Sequence, residues 1–251
     1  MGTLDGKVAV VTGGGSGIGL AAAAEFAARG ARVAIAGRDE AALRQAAARI
    51  GGETLAVRAD VTSLDDLERL FAAVKTAFGG VDVLFVNAGV ASMGPIEAID
   101  ESTFDRVMGI NFKGAYFTIQ KALAVLNDNA SIILNGSANA HVGYPNASVY
   151  SASKAALHSL ARTLTAELSA RGIRINTLNT GPIKTEIFGK LGVPEAAIEG
   201  FARSITSRLP IGRFGDPSEV AKAAAFLASA ESSFILGSEI SADGGLGINA
   251  L

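Results

Sequence analysis

Several residue types that carry common chemistry are missing or rare in this sequence of 251 residues. It contains no cysteine and no tryptophan, and only two histidines, His141 and His158. The lack of cysteine excludes disulfides, thiolate nucleophiles and cysteine-based zinc sites, and it fits a reducing compartment. Neither histidine lies in a spacing typical of metal ligation, so the sequence predicts no metal site.

Long apolar runs and an excess of one charge are also lacking. No run approaches the ~20 apolar residues that a membrane-spanning helix needs, and the N-terminus lacks the pattern of a secretory signal. The chain has 22 basic and 24 acidic residues, without the basic block or aromatic stripe typical of nucleic-acid binding. The sequence therefore predicts a cytoplasmic protein that binds neither membranes nor nucleic acids.

What the sequence does contain is an alternation of short apolar runs and alanine-rich helical stretches. The runs, which predict strands, cover 8–11, 33–36, 55–57, 83–86, 132–134, 173–178 and 234–236. Most are continuous rather than alternating, which indicates strands buried on both faces of a parallel sheet. The predicted helices cover 17–29, 39–50, 63–78, 101–127, 149–171 and 216–229.

The expected fold is therefore α/β, a single Rossmann-type, doubly wound and mostly seven-stranded parallel sheet with helices on both faces. We expect one domain over residues 1–251. Within it, the segment 184–212 is rich in glycine and proline. We expect this segment to form a loop over the site that moves as a lid.

A glycine-rich turn follows the first predicted strand. Residues 12–19 read Thr-Gly-Gly-Gly-Ser-Gly-Ile-Gly, and an alanine-rich helix comes next. Glycines allow a tight turn and let backbone N–H groups approach a pyrophosphate at a helix N-terminus. This context predicts a dinucleotide site with contacts from Thr12, Gly13, Gly15, Ser16, Gly17, Ile18 and Gly19.

Tyr150 and Lys154 lie four residues apart in a predicted helix and therefore share one face. A free phenol has a pKa near ~10, and a nearby cation lowers it, which lets a tyrosine act as an acid and base. Ser137 follows the strand at 132–134. Its hydroxyl is therefore expected at the carboxyl end of the sheet, where the sites of open parallel sheets lie.

In order along the chain, these motifs resemble those of the short-chain dehydrogenase/reductase family, whose fingerprint is Thr-Gly-x-x-x-Gly-x-Gly. The resemblance covers nearly the whole length and includes Asp243-Gly244-Gly245 near the C-terminus. It implies that Asn111 completes a catalytic tetrad with Ser137, Tyr150 and Lys154. It also implies cofactor contacts from Asp60, Val61, Asn87, Ala88, Gly89, Tyr150, Lys154, Gly181, Ile183 and Thr185.

One position departs from the family pattern. Thr180 stands where the family usually has proline before Gly181. Threonine is less rigid than proline, so the resemblance does not settle the geometry of this loop, although Thr185 keeps its spacing from Gly181.

The end of the second predicted strand favours NADP over NAD. An NAD site needs a carboxylate here to bind the ribose hydroxyls, and the family places it where this chain has Gly37. Arg38 can pair with a phosphate. Asp39 is expected to cap the next helix, although as a ribose ligand it would favour NAD, which stays possible.

The expected reaction is reversible hydride transfer between NADP(H) and a ketone or secondary alcohol, with Tyr150 as the acid and base. The predicted substrate contacts are Ser137, Asn139, His141, Tyr144, Tyr150 and Phe188. Further candidate wall residues are Ser92, Met93, Val142, Ile187 and Leu191. With no cluster of Arg or Lys among them, an apolar substrate arm is favoured over a sugar phosphate.

Two other functions stay open. One is an NAD-dependent sugar or polyol dehydrogenase of the same family, and the other is a dinucleotide-sensing protein without turnover. The resemblance also implies a homotetramer, assembled through the helices 111–127 and 149–171 and the C-terminal segment 234–251. Apolar residues in these segments exceed what one core-facing stripe requires.

Overall fold

The computed structural model describes residues 2–185, 200 and 204–248. In these ranges seven parallel strands form one sheet in the order β3-β2-β1-β4-β5-β6-β7, which confirms the predicted doubly wound sheet. The strands are β1 (Val8–Thr12), β2 (Arg32–Gly37), β3 (Thr54–Arg58), β4 (Val81–Val86), β5 (Leu126–Asn135), β6 (Arg174–Thr180) and β7 (Glu239–Ala242).

Helices cover both faces of the sheet. They are α1 (Gly17–Ala28), α2 (Glu40–Ile50), α3 (Leu64–Phe78), α4 (Glu101–Met108), α5 (Gly114–Ala122), α6 (Ser148–Leu168) and α7 (Pro217–Ala228). Over the described ranges, none of the helices combines the length and hydropathy needed to cross a membrane.

The side chains of β1 show how the two faces are filled. Val8 and Val10 pack into a core with α3, α5 and α6, whereas Ala9 and Val11 pack into a second core with α1, α2 and α7. Successive strand residues point to opposite faces, so a strand covered on both faces needs a continuous apolar run. This is why the central strands could be predicted from such runs.

Two predicted helix starts carry the expected capping residues. Ser63 Oγ accepts a hydrogen bond from the backbone N–H of Asp66. The Asp66 carboxylate accepts from the backbone N–H of Asp60 and from the Ser63 hydroxyl rather than from the Ser63 backbone N–H. At α7 the Glu219 carboxylate accepts from the N–H of Asp216 at 2.8 Å. The second start has the reciprocal contact of a capping box, and the first is capped by Ser63 alone.

The predicted helix 101–127 is wrong in two respects. A π-helical turn, Gly109–Lys113, separates α4 from α5, and α5 ends at Ala122, four residues before β5 begins. A Cβ at Gly114 would lie 2.9 Å from Cγ2 of Val61. The helix therefore passes close to the loop after β3 immediately after the π turn.

The predicted last strand at 234–236 is also wrong. The strand that pairs with β6 is β7, with Thr177 opposite Glu239 and Thr180 opposite Ala242. Phe234 is 99% exposed, and Gly237 has a φ of +62°, which ends the preceding turn. This apolar run therefore forms a largely exposed turn rather than a strand of the sheet.

The predicted lid at 184–212 lies mostly outside the described residues, which exclude 186–199 and 201–203. In its described part, Ile205 and Leu209 are buried. They pack with Ala138 and Leu246 in a small apolar cluster. The end of this segment thus lies against the loop after β5 and the C-terminal region.

Candidate active site

The glycine turn after β1 has a backbone that only glycine adopts easily. Gly13 and Gly17 have φ values of +66° and +53°, in the left-handed region that side chains disfavour. A Cβ at Gly19 would lie 2.2 Å from the carbonyl oxygen of Gly13. The turn therefore delivers its backbone directly to the N-terminus of α1, as a pyrophosphate site requires.

Thr12 and Asn87 hold this turn in place. Thr12 Oγ1 accepts hydrogen bonds from the N–H groups of Asn87 at 3.0 Å and Ala88 at 3.1 Å. The Asn87 side-chain amide donates to the carbonyl of Thr12 at 3.0 Å. The ends of β1 and β4 are thereby joined beneath the turn.

A cavity of about 610 Å³ runs from the glycine turn to the end of β5. Among the residues predicted for the cofactor, its lining includes Gly13, Ser16, Gly17, Ile18, Arg38, Asn87, Ala88, Gly89, Gly181, Ile183 and Thr185. Ser137, Tyr150 and Lys154 line the same cavity. The structure therefore brings the two predicted half-sites into one space.

Other residues of the predicted site are outside this lining. Thr12, Gly19 and Asn111 support the cavity from behind, and Gly15 lines a second, open cavity that it shares with Arg38. Asp60 accepts from the N–H and hydroxyl of Thr62. Neither Asp60 nor Val61 is among the described residues that line the two cavities.

Tyr150 and Lys154 project from the first two turns of α6. The Lys154 ammonium lies 5.9 Å from the centre of the Tyr150 ring, and Ser137 and Tyr150 line the same cavity. Lys154 is buried and donates to the carbonyl of Asn135 at 2.6 Å. The predicted triad of side chains is thus assembled at the end of β5.

The pKa values of this pair correct the sequence expectation. Burial raises the pKa of Tyr150, and the hydrogen bond with Ser137 acts in the opposite direction. Burial lowers the pKa of Lys154 to about 8. The expectation of a lowered tyrosine pKa considered only the cation, whereas desolvation of the phenol is the larger effect.

A network of two asparagines supports Lys154 from behind. The Asn111 side chain accepts from the N–H of Val90 at 2.8 Å and donates to Ser153 Oγ at 3.0 Å. Asn135, which the sequence analysis missed, binds Lys154 through its carbonyl and Asn87 through its amide, at 2.9 Å. A polar residue at the end of an otherwise apolar strand was the signal that could have revealed it.

Thr180, which stands where the family usually has proline, leaves the sheet intact. Thr180 is the last residue of β6 and pairs in register with Ala242, and the N–H of Gly181 donates to the carbonyl of Ala242 at 3.2 Å. A Cβ at Gly181 would lie 2.5 Å from the carbonyl oxygen of Asp243. The loop geometry thus depends on Gly181, and threonine extends the strand up to it.

The groups after β2 take the arrangement predicted for them. Asp39 caps α2 by accepting from the N–H of Ala42 at 3.0 Å. Arg38 is exposed, lines both cavities, and makes no hydrogen bond or ion pair within the described part of the chain. Gly37 itself brings no side chain to the end of β2, and Asp39 lines the second cavity beside Arg38.

The substrate end of the cavity agrees in part with the prediction. Met93, Asn139 and Tyr144 line it, and Ser92 and Val142 do not; Ile187, Phe188 and Leu191 lie outside the described residues. The lining residues that the sequence analysis missed include Arg106, Ile205, Arg208 and Leu246. The two guanidinium groups correct the expectation that no basic residues converge on the cavity.

His141 is not part of the described cavity lining. Its ring stacks on that of His158, with centroids 4.8 Å apart, and its Nε2 lies 2.6 Å from a carboxylate oxygen of Glu239. The contact of His141 with substrate stays a prediction, and the spacing of the two histidines in the sequence did not predict this cluster with Glu239. Residues far apart in sequence cannot show such a cluster by their spacing.

The chain belongs to the short-chain dehydrogenase/reductase family of oxidoreductases. A family model described as enoyl-(acyl carrier protein) reductase matches residues 13–247. An oxidoreductase of Sarocladium schorii is 46% identical over 245 residues, which cover 97% of this chain and 96% of the relative. The chain is therefore an NAD(P)-dependent enzyme of this family.

Two further similar proteins have more specific names. A galactitol 2-dehydrogenase of Agrobacterium fabrum is 37% identical, with 96% of this chain and 98% of the relative covered. A crystal structure of a 3-ketoacyl-(acyl-carrier-protein) reductase from Brucella melitensis, complexed with NADH, matches with a TM-score of 0.90 and 33% identity. The match covers 97% of this chain and 99% of the reductase chain.

Proposed function

We propose that this enzyme transfers a hydride reversibly between NADP(H) and a ketone or secondary alcohol. The observation that carries the proposal is the shared cavity, in which the glycine turn and the Ser137, Tyr150 and Lys154 side chains face one space. Gly13 and Gly17 have a left-handed backbone, and a Cβ at Gly13 would lie 2.9 Å from the side-chain nitrogen of Asn87. These features fit a dinucleotide next to an acid–base tyrosine.

In this mechanism Tyr150 gives its proton to the carbonyl oxygen during reduction, or takes it from the alcohol during oxidation. Ser137 donates a hydrogen bond to the same oxygen and stabilises developing charge there. Lys154 supplies a buried positive charge to the tyrosine and binds the ribose hydroxyls. The bound dinucleotide supplies the hydride chemistry, while the protein orients the reacting groups.

Asn111 would position a water next to Lys154 for proton exchange with solvent. It is 1% exposed and lies on the π-helical turn, close to the loop that carries Gly89. A Cβ at Gly89 would approach Asn111 Oδ1 to 3.3 Å and Lys154 Nζ to 3.5 Å. This proximity supports a relay between the two side chains.

The preference for NADP is supported by the groups at the end of β2. Arg38 is exposed beside the glycine turn, where a 2′-phosphate on the adenosine ribose would lie, and Asp39 is engaged in capping α2. A carboxylate that faces the ribose is the feature of an NAD site, and Gly37 cannot provide one. A charge-assisted phosphate contact with Arg38 would favour NADP.

The second candidate is an NAD-dependent sugar or polyol dehydrogenase. The similarity to a galactitol 2-dehydrogenase favours it, together with polar groups such as Asn139 and Tyr144 in the cavity lining. A structural neighbour complexed with NADH shows that this fold accommodates the unphosphorylated cofactor.

The test measures turnover by the purified enzyme, with the NADP and NAD cofactors in turn, on a panel of ketones and a panel of polyols. Turnover is followed by the absorbance of the reduced nicotinamide. We expect a lower KM for NADPH and turnover of apolar ketones. Turnover of polyols with NAD at equal efficiency would support the second candidate. Tight dinucleotide binding without turnover of any substrate would support a sensor and contradict both enzymatic proposals.

We also propose that the enzyme assembles as a homotetramer. The helix α6 leaves less apolar surface than the sequence suggested, because Leu157, Leu160 and Ala161 are buried in the core of the chain itself. Phe234 and Ile248, near β7, are 99% and 82% exposed, which supports an interface there. Light scattering should give four times the chain mass, and Phe234→Glu should reduce it without unfolding the chain.

A further inference from the structure

A cluster of two histidines and a glutamate lies outside the described lining of the active-site cavity. His141 follows the short helical turn after Ser137, His158 lies on α6 one turn beyond Lys154, and Glu239 is the first residue of β7. Their potential ligand atoms all lie within 4.8 Å of one another. Three separate segments of the chain therefore contribute one group each to a single point.

The contacts converge on one carboxylate oxygen. Glu239 Oε2 lies 2.6 Å from Nε2 of His141 and 3.0 Å from Nδ1 of His158. The two imidazole rings are stacked with an interplanar angle of 21°. Each ring thus directs one nitrogen to the same carboxylate oxygen.

Asn179 on β6 determines which nitrogen of His158 carries the proton. Its side-chain nitrogen points toward Glu239 Oε2 at 3.3 Å, so its oxygen is the atom that faces His158 Nε2, at 2.8 Å. An amide oxygen can only accept, so Nε2 carries the hydrogen. In the neutral ring this leaves the Nδ1 lone pair aimed at the Glu239 oxygen.

The two neighbours of His141 Nε2 make opposite demands on its hydrogen. It lies 3.2 Å from the donor nitrogen of Asn179, which requires an acceptor, and 2.6 Å from the Glu239 oxygen, which requires a donor. A nitrogen in a neutral imidazole is one or the other. With the proton of the His141 ring on Nδ1, the lone pairs of His141 Nε2, His158 Nδ1 and Glu239 Oε2 converge on one point, where a cation would satisfy all three.

We propose that His141 Nε2, His158 Nδ1 and Glu239 Oε2 bind a divalent transition-metal ion of the Zn²⁺ type. Two imidazoles and one carboxylate are a donor set that Zn²⁺ takes in proteins, with bonds of about 2.0–2.2 Å. The direct contacts would open slightly to admit the ion. The His141 side chain is 46% exposed, which leaves a path for entry and a position for water.

The surroundings have the outer partners that hold metal ligands in proteins. The Asn179 oxygen accepts from the far nitrogen of His158, and Arg162 pairs with the other oxygen of Glu239 at 2.9 Å. The ion would tie the loop after Ser137 to α6 and β7.

The experiment is a titration of the enzyme, prepared without a polyhistidine tag and treated with EDTA, with ZnCl₂ by calorimetry. The chain has no cysteine and only these two histidines, so the background of nitrogen and sulfur ligands is low. We expect one Zn²⁺ per chain and a rise in Tm on binding. CoCl₂ should give the visible absorption of cobalt bound by nitrogen and oxygen.

Variants separate this site from nonspecific binding. His141→Ala removes a half-exposed side chain, and Glu239→Gln keeps the shape of the carboxylate. Each substitution should lower the affinity for Zn²⁺ by more than the ~10–100-fold that follows the loss of a group hydrogen-bonded to a metal ligand. Glu231→Gln, the same change at an exposed position of the chain, should bind like the parent.

The proposal is overturned if the parent binds no stoichiometric Zn²⁺ at neutral pH. That result would mean that a proton on one histidine satisfies the contacts with Glu239. Equal binding by the parent and by His141→Ala would also overturn it. If Glu239→Gln fails to fold, His141→Ala still tests the proposal, because it removes a half-exposed loop side chain and leaves the backbone and the neighbouring side chains unchanged.

Discussion

The amino half of the chain, residues 2–110, and the carboxyl half, from residue 111, differ in what they bury. Among the described residues, Thr12 is the one buried polar residue of the amino half, and the other fifteen buried polar or charged residues lie between Asn111 and Ser232. The amino half makes its part of the site from backbone, through the glycine turn. The carboxyl half makes its part from side chains.

This difference has consequences for stability and for function. An apolar core tolerates a change of shape at a modest cost, whereas a buried polar group that loses its partner carries the full cost of desolvation. Substitutions in the buried polar interior of the carboxyl half, which positions the reactive side chains, should therefore destabilise the fold strongly. Substitutions in the two halves of the chain should reveal this difference.

Tyr150→Phe should have the largest effect. It keeps the ring and its packing but removes the proton, so turnover should fall by about 10²–10⁴-fold, the range attributed to general acid–base catalysis. Dinucleotide binding, measured by fluorescence, should be intact. Tyr144→Phe is the matched control, because it removes a phenol hydroxyl from the same cavity. An equal loss of turnover in the two variants would contradict the role of Tyr150 as the acid and base.

Arg174→Met tests the buried polar interior directly. The guanidinium is buried and donates to the carbonyls of Leu227, Ser229 and Ser232. These carbonyls also accept from other donors, so the substitution removes charged hydrogen bonds without orphaning an acceptor. Because a hydrogen bond to a charged group contributes about 1.5–3 kcal/mol, the free energy of unfolding in urea should fall by at least about 3 kcal/mol.

Ile35→Val in the amino half is the matched comparison for Arg174→Met. Ile35 is fully buried in an apolar core, and removal of one methylene there should cost about 0.5–1.5 kcal/mol. Both variants are measured at one protein concentration. Equal losses for the two would mean that the two interiors do not differ in sensitivity.

Arg38→Ala tests the one charged side chain proposed to act in the amino half. NADPH binding should weaken by about ten- to hundredfold, because a hydrogen bond to a charged group contributes about 1.5–3 kcal/mol, while NADH binding should change little. Arg44→Ala is the control, because Arg44 forms an exposed ion pair with Glu40, which contributes little. An equal loss for both dinucleotides would show that Arg38 does not contact the 2′-phosphate.

Lys154→Met should remove activity while it stabilises the fold slightly. Burial lowers the pKa of Lys154 from 10.5 to about 8, which is at most about 3 kcal/mol of destabilisation below pH 8. The lost hydrogen bond to the Asn135 carbonyl offsets about 1–3 kcal/mol of this. We therefore expect a gain of about 1 kcal/mol in the free energy of unfolding at pH 7.

The pH dependence of Lys154→Met has a definite sign. Between pH 8 and pH 10.5 the unfolded parent binds a proton at Lys154 that the folded parent has lost, so the stability of the parent rises with pH. The variant lacks this change, and its advantage should shrink across the same window in paired urea titrations. A constant difference from pH 7 to pH 10 would mean that the lysine pKa is not lowered.

Much of the fold could be predicted from the sequence. Strands covered on both faces need continuous apolar runs, and helices need capping groups such as Asp39 and Glu219, so both types of element leave local signals. The glycine turn could be predicted as well, because its backbone conformation depends on residues adjacent in sequence. The apolar run 234–236 shows the limit, since hydrophobicity alone does not distinguish a strand from an exposed turn.

The tertiary structure alone decided which side chains meet. Asn135 holds Lys154 through a backbone carbonyl, and Arg106 and Arg208 reach the cavity from segments about 100 residues apart. The direction of the Tyr150 pKa depends on burial, which residue spacing does not report. His141, His158 and Glu239 come together because β5, β6 and β7 are neighbours in the sheet, and contacts between distant segments arise only when the sheet forms.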